Sequence, residues 1–218
     1  VKTWSNFYDL VAPQLPGCPL AAMDIALRQA AIAFCEQSLA WRFDHPPIAV
    51  EPGTSAYPLV PPADSTVHAI LHAALDGREI GCGTGDCDMA ERNRDGRLSG
   101  IPLYIFGGTG FLALVPAPSA NGILSLSMAL KPSPASAGLG EREFDEYQEA
   151  IVHGALFRLM SSPKKPYTHL QLAFYHQEQF GARTVAAAMR EGRGRTRAAT
   201  HKTNGSGIKR KRRKQDGD

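Results

Sequence analysis

The chain has 218 residues, 43% of them hydrophobic, enough to bury one or two cores. No run of eighteen apolar residues occurs, which excludes a membrane-spanning helix. Net charge is +3, but Arg190 to Asp218 holds eleven Lys/Arg against three Asp/Glu; removing that +8 leaves −5 on Val1 to Met189, an acidic body with a basic tail.

The opening VKTWSNFYDL is polar and aromatic, unlike a signal peptide. Trp4 to Leu15 reads as one short helix. Trp4, Phe7, Tyr8 and Val11 share a face, Ser5 can cap it, and Pro13 and Pro16 end it. Leu20 to Trp41 reads as a long helix. Leu20, Met23, Leu27, Ala30, Ala31, Phe34 and Trp41 make one stripe; Ile25, Ile32, Cys35 and Leu39 make a second. Apolar residues on two sides place this helix at the centre of a bundle. Asp24 and Arg28 form an i,i+4 pair on its polar side.

The texture changes at Asp44. His45-Pro46-Pro47 cannot extend a helix. Ile48 to Val50 and Ala56 to Val60 read as short strands around the Glu51-Pro52-Gly53 turn. Val67, Ala69, Leu71 and Ala73 alternate with Thr66, His68 and His72 as a further strand, closed by Asp76-Gly77. Gly81 to Gly100 is polar and Gly-rich, an excursion with one helical turn near Met89. Leu103 to Phe106, Phe111 to Val115 and Ile123 to Leu130 then form a three-stranded antiparallel meander. The sheet has about five strands. Lys131 to Gly140 is a Pro/Ser/Gly linker.

Two helices follow. In EREFDEYQEAIVHGALFRLM, Phe144, Tyr147, Ile151 and Ala155 recur at helical steps, widened by Val152, Leu156 and Leu159. Glu141, Glu143, Asp145 and Glu146 sit in its first turns, where the dipole favours negative charge. Gly154 in the interior costs about 1 kcal/mol against alanine, which points to close approach of a neighbouring backbone. The Pro-containing elbow SSPKKPYTH leads into a second helix. There Leu170, Ala173, Phe174, Gln177, Gly181, Thr184 and Ala188 follow the helical period, flanked by Leu172, Tyr175, Phe180 and Val185.

The expected fold is α+β: a helical bundle of one N-terminal and two C-terminal helices, an inserted antiparallel β-sheet domain, and an extended basic C-terminal tail. The boundaries are 1–44 and 136–191 for the two bundle parts, 45–135 for the sheet domain and 192–218 for the tail. Leu27, Phe34, Trp41, Ile151, Gly154, Leu156 and Phe174 are the expected bundle-packing residues. The tail contains GRGRTR, NGSG and KRKRRK with one large apolar residue, Ile208, and its composition is that of a segment disordered when free.

No active site emerges. GCGTGD lacks the third glycine of a dinucleotide fingerprint. Cys82 and Cys87 have no second ligand pair for zinc. His68 and His72 lie two pleats apart, His153 reads as a structural histidine, and no G-x-S-x-G or H-E-x-x-H occurs. No residue is therefore assigned a catalytic, metal-binding or cofactor-binding role; a hydrolase or transferase with a site near Asp86 and Asp88 in the 81–100 loop is a third, minor reading. KRKRRK admits a solvated tail, nuclear targeting, or binding to a polyanion or acidic groove. The contact candidates are Arg190, Arg193, Arg195, Arg197, Lys209, Arg210, Lys211, Arg212, Arg213 and Lys214.

Several stretches together resemble the adaptor, or head-to-tail connector, proteins of short-tailed, podovirus-like bacteriophages. They are FYDLVAPQLPGCP, ALRQAAIAFCEQSLAWR, IAVEPGTSAYPLVPP, GIPLYIFGGTGFLALVPAPSANGILSLSMALKPS and EYQEAIVHGALFRLM with the Tyr/Phe-rich helix after it. The resemblance covers nearly all of Trp4 to Arg190 and not the tail from Gly192. It implies a virion structural protein, made in the host bacterial cytoplasm. Such a protein would form a ring of twelve copies beneath the portal protein, extend the channel for genomic DNA and carry the tail nozzle or tail tube. It implies no catalytic residue, no cofactor and no membrane. The alternative is a nucleic-acid-binding protein that uses the basic tail.

Overall fold

The structure, a computed structural model, describes residues 1–83, 99–107 and 110–193. The helical turn expected near Met89 lies outside the described residues, as do Cys87 and the centre of the GGTG turn. The described chain begins with β1 (Lys2–Thr3), α1 (Tyr8–Val11) and α2 (Leu20–Ser38). Strands β2 (Arg42–Val50), β3 (Ala56–Pro58), β4 (Ser65–Leu75), β5 (Arg78–Glu79) and β6 (Gly81–Cys82) follow. Next come β7 (Ser99–Gly100), β8 (Tyr104–Gly107), β9 (Phe111–Val115), β10 (Ala117–Pro118), β11 (Gly122–Pro132) and β12 (Gly138–Leu139). Two long helices, α3 (Glu141–Met160) and α4 (Leu170–Arg193), complete a mixed α+β fold.

The opening segment is not one continuous helix. Tight 3₁₀ turns at Trp4–Phe7 and Ala12–Gln14 flank α1, and Thr3 rather than Ser5 holds the cap position. Pro13 has no amide to donate, which suits a short terminal turn. Trp4, Phe7 and Val11 are buried nonetheless, and the Trp4 indole donates to the Ser136 carbonyl at 2.9 Å. Helix α2 stops at Ser38, short of Trp41, because Leu39 turns left-handed at φ 52°. Its buried face is Met23, Leu27, Ala30, Ala31 and Phe34, while Leu20 and Ile25 face solvent. Of the second apolar stripe only Ile25 is exposed, while Cys35 is buried and Ile32 and Leu39 are half-buried, and α2 packs on α3, on α4 and on β11. Asp24 does not pair with Arg28: it accepts from the Tyr8 hydroxyl at 2.6 Å, and Arg28 donates to the Ser136 carbonyl at 3.1 Å.

The β region differs from the expected single sheet. Two four-stranded sheets form, ordered β2-β11-β4-β5 and β3-β9-β8-β6. The three-stranded meander does not exist, since β8 and β9 pair in one sheet while β11 pairs with β2 and β4 in the other. Pro116 and Pro118 explain the break: neither can donate to a continuing ladder, so the chain leaves one sheet there and enters the other at Gly122. The first strand is also longer than expected, running through Pro46-Pro47. It lies at a sheet edge, and the register slips opposite those prolines, between Leu124 and Leu126. Asp76 and Gly77 both have positive φ, at 49° and 79°, as a two-residue hairpin turn requires.

Val50, Ala73, Leu124, Leu126 and Met128 from one sheet meet Tyr57, Ile105, Leu112 and Leu114 from the other in a single core. A second core unites Trp4, Phe7, α2, α3 and α4. The two are joined where α2 packs on β11, with a Lys131–Glu36 ion pair at the seam. The segment expected to be a linker is held in place: Leu139 and Gly138 pair with Lys2 and Thr3, and Ser136 is fully buried.

Candidate interaction surfaces

The end of α4 is anchored. Glu191 is only 5% exposed although it carries a charge. Its carboxylate lies 3.4 Å from Arg42 and 3.9 Å from Arg142, and accepts from the Tyr147 hydroxyl at 3.2 Å. Arg42 also donates to the Glu191 backbone carbonyl at 2.7 Å. One side chain thereby ties the last helix to the first residue of β2 and to α3. Burial, with the Glu191 and Glu146 carboxylates nearby, pushes the Tyr147 phenol up to about 12. Arg190 is exposed and stands 5.9 Å over the Tyr147 ring. Arg193 is the last described helical residue, while Arg195, Arg197, Lys209, Arg210, Lys211, Arg212, Arg213 and Lys214 lie outside the described residues. Glu191 was not legible as a site because its cations come from distant elements. Its one sequence signal is an acidic residue late in a helix, against the dipole.

Where α3 crosses α4, Gly154 admits the Phe180 ring. A Cβ built at 154 would sit 2.8 Å from that ring and 2.9 Å from the Ala30 Cβ. The close approach is made by side chains of two helices rather than by a backbone. Beside it, His153 Nδ1 and His176 Nδ1 are 2.7 Å apart, so one ring donates and the other accepts. Burial, then Arg183 and His176, bring His153 down to about 4, with Glu149 acting the other way. Burial also lowers His176. No group of three or more metal-ligating side chains occurs among the described residues. Next to the pair a mixed-charge cleft of about 310 Å³ holds Asp145, Glu146, Glu149, Arg183 and Arg190.

Of the expected packing residues, Leu27, Phe34, Ile151, Gly154 and Leu156 lie in the helical core, and Trp41 is half-buried against it. Phe174 does not: it is 64% exposed. Helix α4 buries Ala173, His176, Phe180, Thr184 and Ala187 instead. Both faces of this helix are apolar, and the fit of Phe180 over Gly154 selects the one that turns inward. The exposed face retains Leu170, Phe174, Val185 and Met189. Another apolar recess, of about 240 Å³, lies at the end of the sheets between Leu75, Ile80, Ile101 and Pro118.

What stands out is a structural frame with outward apolar and charged surfaces, the layout of a protein that assembles with others. The family of SU10 adaptor proteins matches residues 3–205, and the chain belongs to that family. It is accordingly a phage structural adaptor, a component of the virion. The match continues past Gly192, where the resemblance read from the residues stopped. No curated protein matches the chain. Among the described residues no helix is long and apolar enough to cross a membrane.

Proposed function

We propose that the chain is a head-to-tail adaptor that assembles, in twelve copies, as a ring beneath the portal protein. The ring extends the channel for genomic DNA and offers the platform on which the tail nozzle or tail tube docks. The observation that carries this reading is the family match over residues 3–205. In it, 1–44 and 136–191 form one helical bundle, 45–135 the inserted sheet part and 192–218 a docking tail without catalytic duty. The Arg42–Glu191 contact supports that division of labour, because it fixes the point from which the basic residues begin. Lys209 to Lys214, with Arg195 and Arg197, meet acidic portal surface and set docking register by charge. The body's net charge of −5 suits a channel wall along which DNA slides, since captured phosphates would make it adhesive. Electron microscopy of the purified chain mixed with portal rings tests this: a second ring on one face of the portal is expected, and a chain that never docks overturns it.

The second reading is free nucleic-acid binding. It is favoured by one observation, the +8 concentrated in residues 190–218. Tight, steeply salt-dependent duplex binding by the isolated chain, with no affinity for portal rings, would replace the adaptor reading with this one.

A further inference from the structure

We draw no further inference here: the strongest candidate, the apolar recess at the end of the two sheets between Leu75, Ile80, Ile101 and Pro118, carries nothing because nothing in the structure shows what covers it.

Discussion

Phe180 packs into the space where Gly154 has no side chain: a Cβ there would come within 2.8 Å of the ring. Ala30 closes the same space from α2 at 2.9 Å, so three helices meet at one missing methyl. Arg158 adds to the arrangement, its guanidinium 5.9 Å over the Phe180 ring and its Nη1 donating to the Gly154 carbonyl at 3.0 Å. Gly154→Leu overpacks this junction and is expected to cost about 1–3 kcal/mol, more if a helix must shift. Thermal unfolding measures it, and an unchanged melting temperature would mean that the helices do not close here.

Glu191 offers a different kind of test. It holds Arg42, which is 149 residues away, together with Arg142 and the hydroxyl of Tyr147. Removing one partner of a buried charge cluster leaves the others unsatisfied. Both arginines are 40% exposed at the side chain, so water compensates part of the loss. Glu191→Ala is therefore expected to lower stability by about 1–2 kcal/mol. Urea unfolding reads that number. Amide exchange should also speed up at the last turn of α4, and protection there equal to the wild type would remove Glu191 from its anchoring role.

How far these features could be read in advance depends on how local their causes are. Gly154 was legible because a glycine inside a strongly periodic helix is anomalous within its own twenty residues. The same period failed at Phe174. Helix α4 has apolar residues on two faces, and only the position of Phe180 over Gly154, an event between helices, decides which turns inward. The alternation in β11 identifies a strand but not its partners, since pairing with β2 and β4 rather than with β9 is a matter of tertiary register. Pro46-Pro47 cannot extend a helix, but an edge strand with a register slip holds prolines that a central strand cannot, and that edge position is set by tertiary pairing. Glu191 was invisible because Arg42 is 149 residues away.

The His153–His176 pair makes stability depend on pH. His153 is lowered from 6.5 to about 4 in the fold, and His176 is lowered as well. The unfolded chain therefore binds more protons than the folded one between these values. By linkage, the contribution is complete above pH 6.5 and is lost as pH falls from there toward about 4. Arg183 and the second imidazole oppose charging, Glu149 favours it, and Tyr175 stacks edge-on at 6.1 Å. Carboxylates titrate in the same range, so the informative quantity is a difference between proteins. His153→Gln is expected to flatten the decline in melting temperature between pH 7 and pH 4.5 relative to the wild type. Parallel profiles for the two would exclude the pair as the source.

The basic tail can be separated from the anchor that precedes it. Deleting residues 194–218 removes nine Lys/Arg but keeps Glu191 and its contacts with Arg42, Arg142 and Tyr147. The truncated body is expected to melt as the full chain does, because it keeps every residue of the two described cores, the last of them Ala187. Its docking to portal rings is expected to weaken and, more tellingly, to lose most of its salt dependence. Charge pairs exposed at an interface are screened over about 8–10 Å at physiological ionic strength. Added salt should therefore slow association of the full chain and barely affect the truncated one. Binding isotherms at low and physiological salt, run side by side on the two proteins, decide the matter. Equal affinities with equal salt slopes would mean that Lys209 to Lys214 do not contact the portal. A duplex that binds the full chain and not the truncated one would move those residues to DNA instead.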